Sequence, residues 1–204
     1  MNFIATQEEL RSVYRPASEG SLRKELPALD RHCVSFIQRS PFVILGTTDG
    51  NGHADVTPKG DRAGFVAVLD SRTVAIPDRP GNNRLDTLEN LLRDPSIGLL
   101  FFIPGMDETL RINGKARITV DEDVRARFEV EGKLPQSVIV VSVEGAYMHC
   151  AKAFMRSQLW HPETWPGRES MPTLGRILKD QLALDQSAEA TDRWLDEAYA
   201  ESMW

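Results

Sequence analysis

Two short stretches carry more chemistry than a turn requires. Residues 55–64 read DVTPKGDRAG and residues 77–84 read PDRPGNNR. Both follow apolar runs of strand type, and both are dense in Pro, Gly and charge. A turn needs Gly or Asn for positive φ, but it does not need Lys59, Asp61, Arg62, Asp78, Arg79 and Arg84 as well. Asn82, Asn83 and Arg84 stand where a helical pattern begins. A helix N-terminus offers free backbone N–H groups and the positive end of its dipole, which attract an anion. Asn amides add donors, and an Arg fork suits phosphate geometry. The same residues also have a local use, with Asn82 capping the helix and Arg84 solvated. No Walker-type or dinucleotide glycine pattern accompanies them, so the spacing points to a small phosphorylated ligand without naming it.

The elements that must hold these stretches follow from periodicity. Residues 6–15 read as a short helix with Thr6 and Glu9 as a capping box. Residues 18–20 read as a loop. Pro27 is acceptable in a first helical turn, and from there Leu29, Cys33, Phe36 and Ile37 form one apolar face of a helix ending near Ser40-Pro41. Strands follow at 42–47 and 53–57 around a 49–52 turn, then at 65–69 and 73–76 around 70–72. Residues 83–93 are helical, with Leu85, Leu88, Leu91 and Leu92 on one face. The run 97–103 (IGLLFFI) is apolar on both faces, which suits a central strand or a subunit interface. Strands at 109–120 and 137–147 enclose a short helix near 123–129. Two amphipathic helices close the chain, one with Leu174 to Leu182 and one with Trp194 to Tyr199. Six or seven antiparallel strands joined by hairpins indicate a mainly β barrel or sandwich with flanking helices.

Length and composition set the limits. A chain of 204 residues suits one domain: N-terminal helices over 1–40, a barrel over 41–160 and a helical tail over 161–204. Hydrophobic residues at 41% exclude a disordered chain. With 24 Lys and Arg against 30 Asp and Glu, the net charge of −6 argues against broad nucleic-acid binding but leaves room for a local basic pocket. The N-terminus has no basic start before an apolar stretch, and no run is long enough to span a bilayer, so a cytoplasmic protein off the membrane is expected. Cys33 and Cys150, at no metal-type spacing, are expected to be reduced and buried as small hydrophobes.

Taken together and in order, residues 55–70 (DVTPKGDRAGFVAVLD), 76–92 (IPDRPGNNRLDTLENLL), 98–116 (GLLFFIPGMDETLRINGKA) and 149–160 (HCAKAFMRSQLW) resemble the pyridoxamine 5′-phosphate oxidase-like flavoproteins, and more closely a bacterial branch of FMN-binding proteins. The resemblance covers about half the chain and implies a split β-barrel, an antiparallel Greek-key barrel that binds FMN. It also implies a homodimer with FMN at the subunit interface. Asn82, Asn83 and Arg84 match the family's phosphate-binding turn. Thr57, Pro58 and Lys59 match the strand end beside the flavin, and Pro77, Asp78 and Arg79 the segment along the isoalloxazine edge. Thr109 and Arg111 lie on a strand near the interface. Lys152, Arg156, Ser157 and Trp160 match a C-terminal segment that reaches the partner's flavin. These positions also have plain readings: Trp160 as interface core, Lys152 as a solvated lysine, Thr109 and Arg111 as ordinary strand residues.

The resemblance implies an FMN-dependent oxidoreductase acting on a small substrate, with Lys59, Arg79 and Arg156 able to stabilise charge on a reduced flavin. The alternative is a flavin carrier, sensor or stress protein without a dedicated metabolite, since a fold does not fix a function. No residue must act as a general base. Among His53, His149 and His161, the last is the best placed in sequence, after Trp160 and before Pro162. Pyridoxamine phosphate is a doubtful substrate, because the true oxidases carry a C-terminal Arg/His motif and His161 with Arg168 form a different pattern. Haem, with His149 and His161 as ligands, would leave the 82–84 turn unexplained. Zinc on His149, Cys150 and His161 fits no usual spacing, so no metal is expected.

Overall fold

The computed structural model describes residues 1–203. The chain enters through three helices. The expected capping box forms at α1, Gln7–Val13, where the Thr6 hydroxyl accepts from the Glu9 N–H and the Glu9 carboxylate accepts from the Thr6 N–H. Residues 18–20 are not a plain loop: Ser18 caps a short helix α2, Glu19–Arg23. Pro27 opens no helix. Asp30 accepts from the N–H groups of both His32 and Cys33, so α3 runs Arg31–Arg39 and buries Cys33, Phe36 and Ile37. A carboxylate that satisfies two orphan donors sets the start better than a proline upstream.

The strands are β1 (Phe42–Thr48), β2 (Ala54–Gly60), β3 (Ala67–Asp70), β4 (Thr73–Asp78), β5 (Ser96–Phe102), β6 (Thr109–Thr119) and β7 (Ser137–His149). All seven join one antiparallel sheet in the order β2-β1-β5-β6-β7-β4-β3. The β1–β2 turn is as expected, with Gly50 at φ 77° and Gly52 at φ 98°. The third strand starts two residues later than expected, because Gly64 at φ 83° and the Phe65 N–H bond to the Arg62 carbonyl hold the chain in a turn. Between β4 and β5 lies α4, Asp86–Arg93, and between β6 and β7 lies α5, Glu122–Ala126.

The sheet curls. Lys59 of β2 forms an ion pair with Asp78 of β4, although β2 is one edge of the sheet and β4 is next to the other. In a flat sheet these strands would stand about 24 Å apart at ~4.8 Å per strand, so the two ends must face each other. The edges β2 and β3 do not pair, and the barrel stays split. Inside it, Ile37, Val43, Leu99, Phe101, Leu110, Ile112 and Ile139 are all buried in one cluster. The IGLLFFI run forms a central strand as expected, with β5 paired to β1 on one side and β6 on the other; Ile97, Leu99 and Phe101 are buried, while Leu100 and Phe102 on the other face are half-buried.

After β7 come α6 (Lys152–Ser157), two 3-10 turns (Pro162–Thr164 and Arg168–Ser170), α7 (Leu174–Leu182) and α8 (Ala188–Ser202). The last two pack on each other. The Gly175 N–H donates to Asp192 at 2.7 Å, and a Cβ on Gly175 would come within 2.5 Å of the Ala188 carbonyl. Cys33 is buried as expected, and burial pushes its thiol up to about 11. Cys150 is exposed rather than buried, because it follows the end of β7 where the chain leaves the barrel. Among the described residues no helix is long and apolar enough to cross a membrane.

Candidate functional site

A cavity of about 350 Å³ opens between β2, the chain beyond β4 and the start of α4. Its size falls in the range of small-molecule sites. Thr57, Pro58, Lys59, Asp78, Arg79, Asn82, Asn83 and Arg84 line it. The two chemical stretches of the sequence therefore meet in space, brought together by the curl of the sheet.

The period-2 alternation of β2 puts Asp55, Thr57 and Lys59 on one face. Opposite them, α4 presents Thr87. Its hydroxyl lies 3.2 Å from the Asp55 carboxylate and 2.9 Å from the Thr57 hydroxyl, which in turn lies 3.3 Å from the same carboxylate oxygen. One acceptor thus gathers two hydroxyls and ties the strand to the helix. Deeper in, the Asn90 amide donates to the Thr47 hydroxyl at 3.2 Å. The sequence reading missed Thr87 and Asn90. Their signal was two polar residues three apart on the helix face that also carries buried Leu91.

The charges on the lining are largely paired within the chain. Lys59 meets Asp78. Arg79 Nε lies 3.0 Å from Asp61, and its Nη1 donates to the Phe128 carbonyl at 2.8 Å. Arg84 is exposed and holds Asp86 at 2.7 Å, which raises the Arg84 pKa further.

The helix begins later than the expected 83. Asn83 at φ 56° and Leu85 at φ 61° are left-handed, and Asn82 Oδ1 accepts from the Arg84 N–H at 3.1 Å. Asn82 therefore supports the turn and does not cap the helix. The N-cap position is Leu85, which provides no side-chain acceptor. The first backbone N–H groups of α4 therefore lack an intrahelical or side-chain acceptor, beside the cavity. A left-handed leucine costs on the order of 1–2 kcal/mol, and such strain collects where a ligand is to be held.

The other expected site residues do not line this cavity within one chain. Pro77 is buried in β4 opposite Val138. Thr109 is buried on β6 opposite His149. Arg111 lies 4.3 Å over the Tyr147 ring. Lys152, Arg156 and Ser157 are exposed on α6. The Trp160 indole N–H donates to the Met106 carbonyl at 2.8 Å, and its ring stacks on Phe154 at 5.8 Å. Phe154 rests on Phe102 of β5, 5.9 Å away, which anchors α6 to the end of that strand. Of the three candidate histidines, His53 pairs with Asp49, His161 with Glu163, and His149 packs at a tilt against Tyr147. Among the described residues no three His, Cys, Asp or Glu side chains are grouped to hold a metal.

The sequence profile of the family described as pyridoxamine 5′-phosphate oxidase matches residues 29–150. No curated protein matches the chain. Among solved structures, a HupZ variant from Group A Streptococcus is 17% identical, with a TM-score of 0.50 over 59% of this chain and 98% of its own. A protein of Lactobacillus delbrueckii described as a pyridoxamine 5′-phosphate oxidase is 22% identical, with a TM-score of 0.48 over 61% and 98%. The FAD binding protein from Mycobacterium smegmatis is 14% identical, with a TM-score of 0.43 over 61% and 97%. The first of these likenesses speaks to the fold alone, in keeping with a split antiparallel barrel. The profile spans the barrel, both chemical stretches and the cavity between them, and so this chain belongs to the pyridoxamine 5′-phosphate oxidase family.

Proposed function

We propose that the protein binds FMN in the cavity beneath α4 and acts as an FMN-dependent oxidoreductase on a small substrate. The observation that carries this reading is the α4 start: an N-terminus without a side-chain cap, reached through the Asn82–Arg84 turn, on the wall of a cavity of ligand size. The donors fit a phosphate, with backbone N–H groups, two Asn amides and one exposed guanidinium. The Asp55–Thr57–Thr87 group offers acceptors and hydroxyls suited to a polyol chain. When bound, the flavin supplies the hydride chemistry, and the protein contributes position and charge. Lys59, paired with Asp78, can then shift between that carboxylate and a developing anion.

The reading includes a cytoplasmic homodimer. Support comes from the outer face of the sheet, where Phe42 and Val56 are exposed and Leu100 and Phe102 half-buried, and from the unpaired edge of β2. Such a face suits a C2 contact. In that dimer the partner's Thr109 and Arg111 strand and its α6, with Lys152, Arg156, Ser157 and Trp160, complete the flavin site. A monomer holding FMN tightly would contradict it in light scattering.

The visible spectrum of the purified protein is the decisive test. Flavin bands near ~450 nm are expected from the cofactor, before or after reconstitution with FMN. A colourless protein that takes up no FMN overturns the proposal. A second reading, a flavin carrier or sensor, draws support from the pairing of Lys59 and Arg79 inside the chain. Anaerobic mixing with NADH, NADPH and candidate amines separates the two, since an enzyme's flavin is bleached by its donor.

A further inference from the structure

A second concentration of charge lies on the outer face of β6 and β7. Arg111 and Tyr147 are direct partners across the two strands, and the guanidinium carbon sits 4.3 Å above the Tyr147 ring. His149, two residues on and hence on the same face, packs against that ring at a tilt of 51°, with centroids 4.8 Å apart. Lys24 arrives from the N-terminal segment. The bridge between Leu26 and Ala146 lays this segment along β7, and Lys24 Nζ then donates to the Met148 carbonyl at 2.9 Å, 5.4 Å from the same ring. Three basic side chains from three parts of the sequence thus surround one tyrosine.

No acid balances them. Among the described residues, neither Lys24, Arg111 nor His149 has a carboxylate within ion-pair distance. The Glu25 carboxylate leans instead over Gly145. The Arg111 Nε is buried and has no hydrogen-bond partner. Leaving a buried charged donor unmade costs more than an ordinary hydrogen bond gains, so an arrangement of this kind is complete only with an acceptor from outside. Burial above all, with repulsion from Arg111 and then Lys24 added to it, holds the His149 pKa below its usual value.

We propose that Lys24, Arg111 and His149 form a binding site for an oxyanion, the carboxylate or phosphate of a small substrate. Arg111 supplies the fork, Lys24 a mobile charge and His149 a neutral N–H donor, while Tyr147 holds all three in place. The role as substrate site rests on the flavin reading, because an anion bound here becomes a substrate only beside a partner's flavin.

The test follows the His149 imidazole by NMR, assigned by its loss in His149→Gln, during pH titrations without added oxyanion and with inorganic phosphate or malonate. In the wild type at least one of them raises the His149 midpoint by half a unit or more. Exposed Lys24→Met, which threatens no packing, at least halves that shift, and Arg111→Met weakens binding by about tenfold. A wild-type midpoint that neither oxyanion moves overturns the site, as does an undiminished shift in Arg111→Met. Phosphate acting without malonate, or the reverse, identifies the headgroup and supports the site. Flavin absorbance of the wild-type samples keeps the two proposals apart, since Arg111 belongs to both. No FMN uptake with an intact oxyanion shift overturns only the flavin reading. FMN uptake without any shift overturns only this one.

Discussion

The cavity edge and the outer face of β6–β7 hold similar residues in opposite states. At the edge, Lys59, Arg79 and Arg84 each have a carboxylate of their own in Asp78, Asp61 and Asp86. On the outer face, Lys24, Arg111 and His149 share a tyrosine ring and no acid. The first set serves the fold as well as any ligand. The Lys59–Asp78 pair joins strands from the two ends of the sheet, and Arg79 fastens the chain beyond β4 to the loop carrying Phe128. The second set joins strands that backbone hydrogen bonds already hold. A basic residue is therefore no guide to a ligand until its partner is known: paired cations shape the barrel, and unpaired ones await a counter-charge.

Removing a partner should separate these roles most sharply at the barrel closure. Asp78→Asn leaves Lys59 without its counter-charge in a largely buried setting and should cost about 3 kcal/mol in urea unfolding. An unchanged midpoint would mean that the pair does not hold the sheet ends together. Next in size is the anion cradle. Asn83→Ala with Arg84→Ala should weaken FMN by about 2 kcal/mol, roughly thirtyfold, and riboflavin much less, because the lost bonds are charge-assisted. Equal losses in a fluorescence titration would put the phosphate elsewhere.

A charge whose partner is backbone gives the intermediate case. Asp30 caps α3 through two N–H groups, and the Cys33 N–H bond above all lowers its pKa. A carboxylate with a depressed folded pKa adds stability above its unfolded value, and that share is lost as the pH falls through the folded value. Asp30→Ala should cost about 1 kcal/mol at neutral pH, and the gap to wild type should close on acidification. A gap independent of pH would remove the charge from the cap's role.

The smallest effect on stability is expected at the outer face. Arg111→Met deletes a cation–π contact of about 0.5–1 kcal/mol together with repulsion on His149. Thermal unfolding should move little, while the His149 midpoint rises. A loss as large as that of Asp78→Asn would show that Arg111 is structural.

Much of the fold was legible because its causes are local. The Thr6–Glu9 capping box, the Gly50 and Gly52 turn and the apolar alternation of β1 and β5 each lie within a few residues. Where the sequence misled, a nearby polar group outweighed a general preference. Asp30 started α3 in place of Pro27, Ser18 turned a loop into α2, and the left-handed Asn83 and Leu85 delayed α4. The residues of the cavity were legible by type, since DVTPKG and PDRPGNNR exceed what turns demand. Thr87 was hidden in a helix whose pattern is dominated by its leucines.

By itself the sequence determined the strands, the helices, the family resemblance and the two stretches able to hold an anion. Only the tertiary structure decided which charges remain open. Lys59 and Asp78 stand 19 residues apart, and Lys24 lies 124 residues from the carbonyl it reaches. Such contacts leave no period or cap in the sequence. They depend on how far the sheet curls and where the N-terminal segment lies on β7, and both are set by the packing of the whole barrel.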